Sequence, residues 1–134
     1  MKNYEIGQQA QMTRTISESD VYLFAGITGD LNPAHINEPY ARGTRFGRRI
    51  AHGMLTAGLI SAVLGTRLPG AGTIYLSQTL KFLSPVYIGD TITARVEILR
   101  LEREGKGAVL KTEAVNQDGR LVATGEAAVL LPEE

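Results

Sequence analysis

The sequence predicts an α+β domain: a curled antiparallel sheet of about five strands around one long buried helix, with an overhanging segment between that helix and an earlier, shorter one. Three observations predict it. Residues 53–68, GMLTAGLISAVLGTRL, are apolar almost all the way round at helical period, which marks a helix covered on most sides. From Gly72 onward the period changes to two, the alternation of strands with one covered face. Between the helices, residues 28–52 show little regular pattern, and long irregular segments inside compact domains usually carry function or are disordered.

In chain order, a short strand is expected near residues 8–15, followed by a helix over 17–27. Ser17 can cap that helix, Asp20 completes a capping-box pattern, and Val21, Phe24 and Ala25 recur at helical spacing. Gly26 and Gly29 weaken it, so it stops near Thr28. A short helical piece around Asn37–Arg42 interrupts the irregular segment. Leu68-Pro69-Gly70 closes the long helix. Ile74, Leu76, Leu80 and Phe82 then share one face of an extended stretch, opposite Thr73, Ser77, Thr79 and Lys81. Ile92, Ala94, Val96 and Ile98 alternate with polar neighbours, and two more strands follow at about 107–116 and 120–131. Glu104-Gly105-Lys106-Gly107 and Asp118-Gly119 supply the turns. An apolar helix and a half-apolar sheet bury both faces at once when the sheet curls round the helix. That arrangement is the hotdog fold.

At 134 residues the chain fits one domain, 1–134. Such a domain buries only about two-thirds of its unfolded surface, so further burial between copies is expected. Fourteen basic residues balance fourteen acidic ones, which argues against a dedicated nucleic-acid or membrane-surface binder. With no cysteine there is no disulfide framework and no thiolate chemistry. MKNYEIGQQA has no apolar stretch after its lysine, so no secretory leader is expected. No segment reaches the roughly 20 apolar residues that span a bilayer. The expected setting is the cytoplasm.

Both histidines of the chain, His35 and His52, fall in the irregular segment. Within Gly29-Asp30-Leu31-Asn32-Pro33-Ala34-His35, Pro33 biases Asn32 away from helical backbone and suggests a stiff, non-helical turn. Such a turn can bring Asp30 and His35 together, where a carboxylate and an imidazole hold a water and move its proton. Gly53 opens the long helix, where backbone N–H groups are unpaired and the dipole favours negative charge.

The run AGITGDLNPAH, with Ala51-His52-Gly53-Met54, Ser61 and the stretch TIYLSQTLKFLSPVYIGDTITARVEI, resembles the MaoC-like, hydratase-2 family over about residues 5–132. The likeness is greatest to its short, stand-alone (R)-specific enoyl-CoA hydratases. It implies that Asp30 and His35 are the catalytic pair, holding a water that adds syn across the C2=C3 bond of a trans-2-enoyl thioester. Asp30 would take the water proton, while His35 orients the water and helps deliver a proton to C2. It implies that the Gly53 N–H receives the thioester oxygen and that Asn32 belongs to the substrate pocket. Ser61 either lies near the site or bonds back to the carbonyl four residues earlier. Val63 and Leu64 are candidates for the wall of an acyl tunnel close to a homodimer interface. His52 reads as a packing residue at the helix start. Arg42, Arg45, Arg48 and Arg49 cluster after the motif; Arg42 and Arg45 are candidates for the phosphates of coenzyme A. No metal and no cofactor is expected, coenzyme A being part of the substrate.

Three other activities compete. Many hotdog thioesterases place an acidic residue on the central helix, yet residues 50–68 hold no Asp or Glu. A dehydratase acting on acyl-carrier-protein substrates would use the same pair in reverse. A non-catalytic acyl-CoA-binding module would need neither Asp30 nor His35.

Overall fold

The computed structural model describes residues 3–133. Six strands form one antiparallel sheet: β1 Gln9–Thr15, β2 Ile74–Gln78, β3 Lys81–Phe82, β4 Thr91–Glu102, β5 Gly107–Val115 and β6 Leu121–Leu130. The order is β1-β4-β5-β6-β2, with β3 also pairing with β6. Four helices accompany it: α1 Glu18–Thr28, α2 Pro33–Ile36, α3 Glu38–Arg42 and α4 Gly53–Thr66.

The sheet curls round α4, as the hotdog arrangement requires. Ile60, Val63 and Leu64 of α4 meet Ala94, Val96 and Ile98 of β4, Leu110 of β5 and Val129 of β6 in one cluster. Each fully buried aliphatic side chain contributes about 1.5–3 kcal/mol, so this cluster seats the helix. A second cluster, with Ile16, Val21, Ile92 and Val122, fixes α1 at the other end of the sheet.

α1 begins as its residues dictate. The Ser17 hydroxyl accepts the Asp20 N–H at 3.1 Å, and the Asp20 carboxylate accepts the Ser17 N–H at 3.0 Å. It ends at Gly29, whose φ of 80° and N–H to the Ala25 carbonyl turn the chain sharply toward Asp30.

Three expectations need correcting. The stretch 74–82 is not one strand but two, because Thr79 crosses directly over Gly125 of β6: a Cβ on that glycine would stand 1.7 Å from the Thr79 carbonyl oxygen. Its apolar residues do not share a covered face, and Ile74, Leu76 and Phe82 are exposed. The α4 helix is covered on one face only. Thr56, Ile60, Val63 and Leu64 are buried, whereas Gly53, Met54, Gly58, Ser61 and Gly65 lie open. Finally, the turn after Asp30 is partly helical. Pro33 is the first residue of α2, where its missing N–H has no partner to lose.

Candidate active site

The segment from Gly29 to His52 overhangs the start of α4, and its shape is wired by side chain-to-backbone hydrogen bonds. Asn32 caps α2 by accepting the Ala34 N–H at 3.0 Å, and Asn37 caps α3 by accepting the Tyr40 N–H at 3.0 Å. Arg49 reaches back to Glu38 at 2.7 Å and to Glu18 at 3.3 Å. The Ala51 N–H then donates to the Val86 carbonyl at 2.7 Å, tying the overhang to the chain leading into β4.

Asp30 and His35 come together here, with a third residue the motif did not single out. Ligating atoms of Asp30, His35 and His52 lie within 4.8 Å of one another. His35 is 8% exposed and His52 2%; Asp30 is open to solvent. The imidazoles stack, with centroids 3.8 Å apart and planes 30° from parallel. Carbonyl oxygens only accept hydrogen bonds, which fixes the ring roles. His35 Nδ1–H donates to the Ile50 carbonyl at 2.7 Å, and His52 Nε2–H donates to the Asp30 carbonyl at 3.0 Å. In the neutral ring His35 therefore keeps its lone pair at Nε2. Burial pushes the His35 pKa below its ordinary 6.5, and the nearby His52 pushes it the same way; the Ile50 bond and Asp30 oppose this. The Nδ1 of His52 is buried without a hydrogen-bond partner.

These three residues are also where a metal would find donors. A ring whose other nitrogen is tied to a carbonyl, as both are here, is oriented equally for a metal or for a water.

The trio lines a cavity of about 440 Å³ together with Gly53, Met54, Thr56, Phe82 and Arg45. Gly53 begins α4, so its N–H is one of the unpaired donors at a helix start. The Phe82 ring lies where a side chain on Gly53 would go, with Cε1 3.0 Å from that Cβ position. Glycine thus lets a backbone donor and an aromatic wall meet in one place.

The other expected site residues scatter. Asn32 is exposed and serves as a helix cap, lining none of the cavities described here. Ser61 stands on the open face of α4, in a second, apolar cavity of about 730 Å³ that shares Met54 and Phe82 with the first. Val63 and Leu64 wall neither cavity; at 0% and 1% exposure they are core residues that face the sheet. Arg45 lines the first cavity, whereas Arg42, in the last turn of α3, lines neither. His52 was legible only as a residue at the helix start. Its bond to Asp30 spans 22 positions, and no local spacing encodes it.

The sheet curls around a central helix, and a carboxylate and an imidazole on the overhang line one cavity with the first residue of that helix. The chain belongs to the MaoC-like domain family, which matches residues 2–119. It is 57% identical, over 94% of its length and 87% of the relative's, to an (R)-specific enoyl-CoA hydratase of Rhodospirillum rubrum. It is 50% identical, over 99% of its length and 84% of the relative's, to a 3-hydroxybutyryl-CoA dehydratase of Methylorubrum extorquens. Among solved structures, the (R)-hydratase from Aeromonas caviae involved in PHA biosynthesis superposes with a TM-score of 0.95 at 43% identity, covering 98% of this chain and 100% of that one.

Proposed function

We propose that the protein is an (R)-specific enoyl-CoA hydratase, adding water syn to a trans-2-enoyl-CoA to give (R)-3-hydroxyacyl-CoA. The observation that carries this reading is the Asp30–His35 pair set against the Gly53 N–H in one cavity. A water held by the pair donates a proton to it, and its oxygen bonds to C3. The π electrons move onto the thioester oxygen, where the Gly53 N–H and the α4 dipole stabilise the developing charge. C2 then takes a proton on the same face. A neutral His35, with Nδ1–H held by Ile50, accepts at Nε2 but has no proton of its own to give. The proton reaching C2 is therefore the water's own, returned by the group that took it. In this reading His35 orients the water or relays its proton. Dehydration is the same path reversed.

In this reading the acyl chain runs from the thioester past Met54 and Phe82 into the apolar cavity beside Ser61, and no metal or separate cofactor is needed. No helix among the described residues is long and apolar enough to cross a membrane; an acyl-CoA substrate suits work in the cytoplasm. The edge strand β2 exposes Ile74, Tyr75 and Leu76, and a homodimer joined there would cover them; sedimentation at micromolar concentration should give the mass of two chains. The activity itself is tested on crotonyl-CoA and longer enoyl-CoAs. Loss of the enoyl absorbance without release of free thiol is expected. Thiol release would instead indicate a thioesterase.

A further inference from the structure

Next to the catalytic cavity lies a polar one of about 410 Å³, and the two share Ser84 and Pro85. Its wall is made by Arg48, Tyr87, Asp90 and the turn that carries Asp118 and Arg120. The Arg48 guanidinium stands over the Tyr87 ring, 4.0 Å from its centroid. The Tyr87 hydroxyl donates to the Phe46 carbonyl at 3.1 Å, which holds the ring in place. Asp90 accepts the Tyr87 N–H at 2.9 Å with one oxygen and the Gln117 side-chain N–H at 3.0 Å with the other. Its charge is thus engaged by the wall it belongs to.

The two arginines differ from their neighbour Arg49, which is held by Glu18 and Glu38. Among the described residues neither Arg48 nor Arg120 has a carboxylate within ion-pair distance. Asp118 is the remaining carboxylate of the cavity and opposes them. Two uncompensated guanidinium groups suit phosphate oxygens, which they meet with paired donors, and the Arg48–Tyr87 stack presents planar surfaces to a heterocycle. The polar cavity adjoins the site where the thioester sits.

Resting on the reading that the substrate is an acyl-CoA, we propose that this cavity binds the nucleotide end of coenzyme A, with Arg48 and Arg120 meeting its phosphates. This assigns the phosphate contacts to a different pair from Arg42 and Arg45, and it makes the enzyme prefer coenzyme A over a carrier that lacks the nucleotide.

The test compares crotonyl-CoA with crotonyl-pantetheine, which has the same reacting end and no nucleotide. The Arg48→Ala, Arg120→Ala double variant should raise KM for crotonyl-CoA about tenfold at low salt, two exposed contacts of modest strength. KM for crotonyl-pantetheine and kcat on both substrates should be unchanged, which also shows that the variant is folded. Adenosine 3′,5′-bisphosphate should compete with crotonyl-CoA in the wild type and much less in the variant. Asp118→Asn should lower KM for crotonyl-CoA, since it removes the opposing charge. An unchanged KM in the double variant, or equal wild-type KM for the two substrates, would overturn the nucleotide site and leave the hydratase reading standing. Failure of the wild type to hydrate either substrate would overturn the hydratase reading itself.

Discussion

The overhang and the core beneath it are built on opposite principles. The core joins α4 to β4, β5 and β6 through aliphatic side chains with almost no exposure, so its stability scales with buried area. The overhang from Gly29 to His52 holds its shape through directed bonds: two asparagine caps, the Arg49–Glu38 pair, and two imidazoles each tied to a carbonyl. Directed bonds fix atoms to within tenths of an ångström, as proton transfer demands, while apolar packing supplies the rigid floor. Damage to the two regions should therefore look different.

Leu64→Ala offers the largest expected loss. Emptying a core position should cost about 2–5 kcal/mol of stability, read from denaturant unfolding, while the preference among enoyl chain lengths stays put. A shift in chain-length preference at unchanged stability would return Leu64 to a tunnel wall. In the overhang the losses should fall on turnover. Asp30→Asn and His35→Ala should each lower kcat at least roughly a hundredfold. Asp30→Asn should melt close to wild type, whereas His35→Ala, which strands the Ile50 carbonyl, should also lose about 1–3 kcal/mol of stability. If both residues hold one water, the double variant should be little worse than either single one.

A smaller effect is expected at His52. Removing its bond to the Asp30 carbonyl and its stack on His35 should lower kcat about tenfold and leave KM nearly unchanged. His52→Gln, whose amide can still donate, should recover part of the loss; a glutamine variant no better than alanine would show that packing alone matters.

The smallest effect is pH dependence. Burial lowers the His35 pKa from 6.5, so the neutral ring persists somewhat below that value, and the acid limb of kcat/KM should have its midpoint under pH 6.5. The unfolded chain takes up a proton at this histidine as pH falls through 6.5, and the folded chain resists. The contribution of His35 to stability is therefore complete above 6.5 and declines as pH falls toward the folded value. An acid limb centred above 6.5 would contradict the buried, neutral assignment.

How far the sequence reaches differs between the regions in the same way. The Ser17–Asp20 capping box, the start of α4 at Gly53 and the alternation of β4 are local patterns, and the structure realises each of them. The Gly29–His35 run drew attention to Asp30 and His35 through its likeness to a family motif, and the structure brings the two side chains together. What stayed hidden depended on contacts between distant residues. The break between β2 and β3 falls where Thr79 crosses Gly125, a crossing that only a residue without a side chain permits and that lies more than 40 positions away in sequence. A helix apolar all round gives no sign of which face meets the sheet, so Val63 and Leu64 could not be told from cavity-lining residues. Arg49 sat in a cluster of four arginines, yet its carboxylate partners at 18 and 38 make it a brace for the overhang.

The most direct test of the whole account is the stereochemistry of hydration. Crotonyl-CoA is incubated with the wild type and with Asp30→Asn, and the 3-hydroxybutyryl product is resolved by chiral chromatography. A water delivered from the overhang to one face of the bound enoyl group should give the (R) isomer from the wild type, formed at least roughly a hundredfold more slowly by the variant. An (S) product, or an Asp30→Asn enzyme with near-normal kcat, would contradict it.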